Sequence, residues 1–211
     1  MIKWGNTPIN DTMSILKAHK IAAPKKKIWL HPDELQQLYD YQPRNYEAST
    51  YKYFLVCCLL GCRVEDSLNI SMNNLDGSTL RYRPIKTRST ECYINLRPEQ
   101  INALERLLGI KSYGYEPTND MLKKIFHHAG LERMFDIGTY NSSEIVCIAD
   151  KVHFHTARHS FATIKYRYSN YTDREIAIAI GHTDFRQTWN YYICDKSPVT
   201  KEDKEIKGLF I

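Results

Sequence analysis

The residue types that could carry chemistry in this chain are arginines, histidines, a lysine and tyrosines. They include Arg63, the cationic cluster His155-Thr156-Ala157-Arg158-His159, His182 and the adjacent pair Tyr191 and Tyr192. Guanidinium groups pair bidentately with non-bridging phosphate oxygens, and imidazole moves protons near neutral pH. A tyrosine can be a covalent nucleophile, and cationic side chains can neutralise developing charge without paired carboxylates and metals. Together these side chains suit a pentacoordinate phosphorane, so the set predicts phosphoryl transfer.

Each candidate also has an interpretation without catalysis. An arginine near a core helix is often half of an ion pair, and Glu65 or Asp66 is a suitable partner for Arg63. Gly181-His182 is also typical of a helix stop, and the two tyrosines belong to a set of fifteen. The histidines could also bind zinc, although His-x-His-x3-His matches no standard metal spacing and carboxylates are missing nearby. The ligands of that zinc site would be Cys147, His153, His155 and His159.

Composition excludes several classes of protein. With 211 residues, 43% hydrophobic and 25% charged, the chain has the length and make-up of one globular domain, or of one domain with a short appendage. The longest apolar run, Phe54 to Cys62, is shorter than the about 20 residues that cross a membrane, and no secretory signal precedes it. The net charge of +5, from 29 basic and 24 acidic residues, permits a polyanionic partner.

The cysteines indicate a reducing compartment. No Cys-x-x-Cys pair occurs among the six, and three of them lie in one apolar stretch, where cysteine behaves as a small buried hydrophobe. We therefore expect no disulfide framework and a cytoplasmic protein. The six are Cys57, Cys58, Cys62, Cys92, Cys147 and Cys194.

The elements that must position these residues are mainly helices. An all-round apolar helix is predicted over Ala48 to Leu60, where Gly61 ends it, and a β-hairpin is predicted from the alternation in Thr79 to Ile85 and Glu91 to Leu96. Residues 131–152 show no clear pattern. The other helices are predicted from Pro32, over Val64 to Ile70, Pro98 to Leu108, Thr118 to Ala129, Phe154 to Tyr168, Asp173 to Ile180 and Asp184 to Ile193.

The two ends differ from the domain between them, which we place at residues 29–195. Residues 1–28 are basic, with a short helix predicted over Thr12 to Lys20, and Pro24 with the three following lysines forms either a flexible linker or a strap along a phosphate backbone. Residues 196–211 are polar until Leu209-Phe210-Ile211. This tail is expected to dock on its own domain or, in trans, on a neighbouring subunit.

Five segments carry a resemblance to a known family. They are Gly61-Cys62-Arg63-Val64-Glu65-Asp66-Ser67-Leu68-Asn69-Ile70, the turn Lys86-Thr87, His155-Thr156-Ala157-Arg158-His159-Ser160-Phe161-Ala162-Thr163, Ile180-Gly181-His182-Thr183, and Tyr191 nine residues after His182. In order and spacing the chain resembles the catalytic domain of the tyrosine recombinases, the phage integrase family. The resemblance covers about residues 29–195 and implies a mainly α fold with a small antiparallel β-sheet.

The resemblance implies a role for each matched residue. Tyr191 would attack a DNA phosphate, leaving a 3′-phosphotyrosine and a free 5′-hydroxyl, while Arg63 and Arg158 hold the non-bridging oxygens. Lys86 would protonate the 5′-oxygen. The remaining two roles are proton transfer from the tyrosine by His155 and a hydrogen bond to the phosphorane from His182. The resemblance implies that neither a metal nor ATP is needed. Tyr192 is the alternative nucleophile if the register of the predicted helix is shifted by one residue.

The resemblance also implies partners. Double-stranded DNA is the expected ligand, with a monomer in its absence, a tetramer on paired sites, association with the nucleoid, and room for accessory DNA-bending proteins. Relatives usually carry a separate DNA-binding domain before the catalytic one, so the chain is expected to be either a fragment or a minimal recombinase. A type IB topoisomerase-like relaxer and a non-catalytic DNA-binding regulator are the alternatives. Phosphate contacts are predicted for residues that flank the site, namely Arg81, Arg83, Arg88, Lys165, Arg167 and Arg186.

Overall fold

Helices dominate the computed structural model, which describes residues 26–87, 90–139 and 142–211. The predicted helix over Thr12 to Lys20 and the predicted phosphate contact Arg88 lie outside the described residues. The described helices are α1 (Pro32–Asp40), α2 (Ala48–Leu60), α3 (Val64–Ser67), α4 (Pro98–Gly109), α5 (Asn119–His128), α6 (Ile148–Lys151), α7 (Phe154–Tyr168), α8 (Asp173–Ala179), α9 (Phe185–Tyr191) and α10 (Lys201–Glu205). The described strands are β1 (Leu75–Asp76), β2 (Thr79–Tyr82), β3 (Cys92–Asn95), β4 (Met134–Asp136) and β5 (Ile145–Cys147).

The centre of the core is the packing of α2 against α7. Almost every side chain of α2 is buried, in agreement with the all-round apolar pattern that predicted it. The helix ends at Gly61, whose φ of +67° is in the left-handed region. A Cβ at this position would lie 2.5 Å from the ring of Phe161 in α7, so only glycine allows the two helices to approach this closely.

The predicted hairpin is present and forms most of a three-stranded antiparallel sheet in the order β1-β2-β3. Leu80 pairs with Ile94, and Tyr82 pairs with Cys92. These four side chains are buried whereas Arg81 is exposed, as the alternation predicts. Strand β1 adds a short edge that the predicted hairpin did not include.

The segment without a clear pattern, residues 131–152, contains the hairpin β4–β5 and the short helix α6. Met134 and Ile145 are both exposed on these three-residue strands, so the segment lacks the apolar alternation of a half-buried strand.

The carboxyl-terminal tail docks on its own domain. Phe210 and Ile211 are buried in the main core, where the Phe210 ring contacts the edge of Tyr39. Arg97 Nη2 donates to the carbonyl of Gly208 at 2.7 Å and Gln100 Nε2 donates to that of Leu209 at 2.8 Å. In this structure the tail therefore packs on its own domain, and docking in trans stays a prediction.

Two further observations concern the lengths of the helices and the state of the cysteines. In the part of the chain that the structure describes, no helix is both long and apolar enough to cross a membrane. All six cysteines are free thiols, and Cys57, Cys58, Cys62 and Cys92 are buried, as expected for small hydrophobic residues.

Candidate active site

Two adjoining cavities form one cleft that contains all six predicted catalytic residues. The smaller cavity, of about 540 Å³, is lined by Arg63, Lys86 and Arg158. The larger, of about 770 Å³, is lined by residues that include His182 and Tyr191. His155 lines both cavities and joins them. Side chains separated by up to 128 positions in sequence, the span from 63 to 191, are therefore brought to one place.

Arg158 is the most firmly held side chain of the cleft. It is 1% exposed, and its guanidinium donates from Nη1 to the carbonyl of Gly61 at 2.6 Å and from Nη2 to that of Ile180 at 2.8 Å. It thereby connects the ends of α2 and α8. Its buried Nε has no hydrogen-bond partner among the described residues, and neither has the buried Nη1 of Arg63. Unpaired buried N–H groups are costly, so these two donors suit an anionic ligand.

Asp66 connects Arg63 to the hairpin turn that carries Lys86. Its Oδ1 accepts a hydrogen bond from the backbone N–H of Ile85 at 2.8 Å, and its Oδ2 lies 3.9 Å from Arg63 Nη1. The alternative interpretation of Arg63 as an ion-pair residue is thus correct in part, although this separation is too long for a hydrogen bond. Lys86 itself is exposed on the turn and lines the smaller cavity.

The histidines of the cleft are neutral at physiological pH. Burial, together with the Arg158 guanidinium, lowers the pKa of His155 to about 4, and the same two causes lower the pKa of His182 to about 4. Burial lowers the pKa of His159 to about 3. A neutral imidazole can accept a proton, which is the requirement for a general base.

Tyr192, rather than Tyr191, occupies the centre of the cleft in this structure. Its ring centroid lies 5.1 Å from that of His155 and 5.0 Å from that of His182, and the Arg158 guanidinium carbon lies 5.1 Å from it. Tyr191 is 62% exposed at the rim. Tyr192 directly follows the last residue of α9, and both tyrosines line the larger cavity, Tyr192 at its centre and Tyr191 at its rim.

Lysines that the sequence analysis did not assign to the site line the larger cavity. Lys27 Nζ donates to the backbone carbonyl of Tyr191 at 2.6 Å and lies 5.3 Å from the centroid of the Tyr191 ring. Lys26 and Lys151 line the same cavity. The lysine run after Pro24 was the available signal for the first two, since one interpretation made it a strap along a phosphate backbone. No sequence pattern pointed to Lys151.

Three of the predicted phosphate contacts are exposed. Arg81 lies on β2, Arg83 follows that strand, and Arg186 lies in the first turn of α9. Arg83 Nε lies 3.9 Å from a carboxylate oxygen of Glu91, a weak exposed ion pair. These arginines remain predicted DNA contacts.

The other two, Lys165 and Arg167, are corrected by the structure because they are buried within the domain. Lys165 is 2% exposed and its ammonium lies 4.9 Å from the centroid of the Tyr171 ring. Burial lowers its pKa to about 7. Arg167 forms ion pairs with Asp195 at 3.1 Å and Asp203 at 3.0 Å, which fasten the tail to α7. Neither side chain is presented to a ligand on the surface.

The alternative zinc interpretation has no counterpart in the described ranges. Within them, no three or more His, Cys, Asp and Glu side chains are grouped as a metal site would require. The histidines instead surround the ring of Tyr192.

Comparison with known proteins adds two kinds of similarity. Residues 28–197 match the sequence model of the Phage integrase family. A comparison with curated protein sequences gave no match. Solved structures of site-specific recombinases are similar in fold.

Three of these structures are described by TM-score, sequence identity and coverage. The crystal structure of XerA recombinase aligns with a TM-score of 0.54 and 19% identity, over 82% of this chain and 63% of XerA. XerH site-specific recombinase, bound to palindromic difH substrate in a post-cleavage complex, aligns with a TM-score of 0.53 and 19% identity, over 82% of this chain and 51% of XerH. A lambda integrase(75–356) dimer bound to a COC′ core site aligns with a TM-score of 0.52 and 14% identity, over 89% of this chain and 66% of that one. At these identities the similarity shows the fold, and the chain spans less than two thirds of each of these proteins.

Proposed function

Because this chain belongs to the phage integrase family of tyrosine recombinases, we propose that it is a site-specific DNA recombinase that acts through a 3′-phosphotyrosine intermediate. One observation carries the proposal. The six side chains that match the family's motifs line a single cleft, whose two halves share His155. Residues so far apart along the chain need not meet, so their convergence on one cleft supports a shared role.

The first chemical step assigns a task to each group. The Tyr191 hydroxyl attacks the scissile phosphorus, a bond forms between its oxygen and phosphorus, and the bond to the 5′-oxygen breaks. The tyrosine proton passes to His155, which burial and the Arg158 guanidinium keep neutral in the free protein by lowering its pKa. A phosphate anion bound beside the imidazole raises that pKa towards the operating pH, as a general base requires. Lys86 supplies a proton to the departing 5′-oxygen. The phosphotyrosine conserves the energy of the phosphodiester, so ATP is not a reactant.

Charge stabilisation comes from the two arginines and His182. Arg63 and Arg158 bind the non-bridging oxygens, using N–H groups that have no hydrogen-bond partner in the described chain. His182 donates a hydrogen bond to the phosphorane. In the second step the 5′-hydroxyl of the partner strand attacks the phosphotyrosine and reverses the proton transfers. Two such exchanges through a four-way junction complete recombination.

The proposed chemistry requires a rearrangement at the end of α9. Tyr192 lies between the histidines and Arg158, where the scissile phosphate must bind, and Tyr191 lies at the rim. A rotation of the backbone at the end of α9 that withdraws Tyr192 from the centre of the cleft would make room for Tyr191, which lies at the rim. We propose that DNA binding selects this second arrangement.

The proposed partners follow from the function. The lambda integrase and XerH structures are complexes with DNA, which supports double-stranded DNA as the ligand. A tetramer on two paired sites, accessory DNA-bending proteins and association with the nucleoid are further proposals, which follow from the resemblance to the family. The exposed Arg81, Arg83 and Arg186 are the proposed backbone contacts outside the cleft.

Covalent trapping tests the function. The protein is incubated with DNA from the flanks of its own gene, nicked close to each candidate site so that the cleaved 5′-hydroxyl fragment diffuses away. Wild-type protein should form a covalent adduct, Tyr191→Phe should form none while binding DNA normally, and Tyr192→Phe should retain it. An adduct lost only in Tyr192→Phe would transfer the nucleophile to Tyr192. Absence of an adduct on every site would leave a DNA-binding regulator as the better conclusion.

A two-site assay separates recombination from relaxation. Two differently labelled DNA duplexes, each with one site, are mixed with the protein. A recombinase yields molecules that carry both labels, whereas a topoisomerase-like enzyme only rejoins each original strand.

A further inference from the structure

The part of the larger cavity that lies away from the proposed scissile phosphate is strongly basic. Lys26, Lys27 and Lys151 line it together with His153 and Gln187, and its lining includes no aspartate or glutamate. These lysines come from two separate segments, the chain before α1 and the end of α6. The mechanism above uses none of them.

None of the three lysines has a carboxylate within ion-pair distance in residues 26–87, 90–139 and 142–211. Lys26 contributes to holding the pKa of Asp136 below its usual range, but the larger cause is that Asp136 accepts hydrogen bonds from the backbone of Glu144 and Gly138. Its carboxylate is therefore committed to its own loop.

Lys27 is the best-defined of the three. Burial lowers its pKa, and nearby Lys196 acts in the same direction. Its positive charge is also among the causes that lower the pKa of His155 and His159, although burial is the larger cause for both. A partly desolvated ammonium without a counter-ion favours an anion at this position.

We propose that Lys26, Lys27 and Lys151 form a second phosphate subsite, which binds the backbone phosphate adjacent to the scissile one. This inference rests on the proposed function, because it takes the ligand of the cleft to be a DNA strand. Each strand of a duplex carries one phosphate per about 3.4 Å of helix axis. A strand whose scissile phosphate lies between Arg63 and Arg158 therefore presents its neighbour to the contiguous cavity beyond His155.

The subsite also positions the nucleophile. An ammonium group has three N–H donors, so Lys27 can keep its bond to the Tyr191 carbonyl while it donates to a phosphate oxygen. The bound phosphate and the end of α9 are then held by the same side chain. Occupation of the subsite fixes the DNA strand relative to the helix that carries Tyr191.

A cycle between protein variants and modified DNA tests the subsite. The variants are Lys27→Met, the triple variant Lys26→Met/Lys27→Met/Lys151→Met and, as control, Lys111→Met, which removes an exposed lysine that lines neither cavity. The DNA carries a single uncharged methylphosphonate, placed in turn at each phosphate adjacent to the scissile one. Binding is measured in the Tyr191→Phe background, and adduct formation in the background that retains Tyr191.

We expect the methylphosphonate at one of the two adjacent positions to weaken binding by the parent and by Lys111→Met, but not by the triple variant, which has already lost the contact. Each lost contact should also reduce the slope of log K against log salt by about 0.9. Lys27→Met should slow adduct formation at saturating DNA, and Lys27→Arg should restore it in part.

The subsite is rejected if the effects on binding are additive, that is, if the methylphosphonate at both adjacent positions weakens DNA binding by the triple variant as much as by the parent. That outcome, obtained with a protein that forms the covalent adduct, would reject the subsite and leave the proposed function standing. A protein that shows the cycle but never forms an adduct would support the subsite and reject the proposed chemistry. Because every comparison is made within one variant on two DNA molecules, a uniform loss of affinity cancels. A misfolded triple variant is recognised separately, by a urea unfolding midpoint below that of the parent.

Discussion

Nδ1 of His182 lies 3.1 Å from the hydroxyl oxygen of Thr188, a fully buried residue of α9. The carbonyl of the same threonine accepts hydrogen bonds from the backbone of Tyr192 at 2.8 Å and Ile193 at 3.1 Å. Thr188 therefore connects the histidine at one end of the cleft to the helix end that carries both tyrosines. The side chain of Thr188 thus contacts the His182 ring, and its main-chain carbonyl holds the chain that follows Tyr191.

Thr188→Val tests this connection. Valine has nearly the shape of threonine but cannot hydrogen-bond to His182, so the imidazole loses the contact that fixes its tautomer and orientation. We expect adduct formation to slow by about fivefold or more, since a single hydrogen bond contributes about 1 kcal/mol. Thr188→Ser keeps the hydroxyl and should react at close to the parental rate. Equal losses in both variants would point to packing instead of the hydrogen bond.

Arg158 and Arg63 should differ in their contributions to stability, although both are proposed to bind phosphate. Arg158 bonds to the carbonyls of Gly61 and Ile180 from a buried position, and a lysine ammonium cannot reproduce that planar fork. We expect Arg158→Lys to lower the free energy of unfolding by about 1–3 kcal/mol in urea titrations. The Arg63 side chain is 22% exposed, so Arg63→Lys should stay within about 0.5 kcal/mol of the parent. Similar midpoints for the two variants would contradict the structural role of Arg158.

The pH dependence of stability should report the buried histidine His159. Burial lowers its pKa to about 3 in the folded chain, against an unfolded value of about 6.5. Below about pH 6.5 the imidazole is protonated in the unfolded state but stays neutral in the folded state. The free energy of unfolding is therefore highest above that pH and decreases from about pH 6.5 towards pH 3. We expect Tm to fall between pH 7.5 and 5, and His159→Gln to flatten that fall. An unchanged slope in the variant would assign the effect to other groups, of which His155 and His182 shift in the same direction.

Replacing the leaving oxygen with sulfur tests the assignment of Lys86 as the general acid. Lys86→Ala should lower the rate of adduct formation on ordinary DNA by about 100-fold or more, because the 5′-alkoxide then leaves unprotonated. A 5′-bridging sulfur leaves readily as the thiolate, whose conjugate acid has a pKa of about 8.5. The variant should recover most of its rate on that substrate. Arg63→Ala is the control, since a residue that binds non-bridging oxygens should not be rescued.

Much of the fold follows from local patterns. Helices α2 and α7 begin and end where the sequence predicts, because one is apolar all round and stops at Gly61, and the other starts directly after the capping residue His153. The hairpin β4–β5 was not predicted because strands of three residues with exposed Met134 and Ile145 have no alternation to detect. Its formation depends on neighbours distant in sequence.

The sequence predicts which residues belong to the candidate site better than it predicts how their side chains are arranged. Motif spacing identifies Tyr191, but which of two adjacent rings enters the cleft is decided by the last turn of a short helix, and in this structure Tyr192 does so. Lys165 and Arg167 have residue types typical of a surface, yet α7 buries both. Helical periodicity could not indicate this, because the burial of α7 continues without a break from Thr156 to Lys165 and because Arg167, in the last turn, is covered by Asp195 and Asp203.

The double anchorage of Arg158 has a consequence for the energetics of DNA recognition. A free arginine side chain loses rotamer freedom, about 2 kcal/mol, when it closes on a ligand. In Arg158 this loss of rotamer freedom occurs when the protein folds, because two main-chain oxygens fix the guanidinium plane before DNA binds. In the proposed mechanism the field at the reaction centre is in this sense preorganised, because the anchored guanidinium need not reorient as the phosphorane forms.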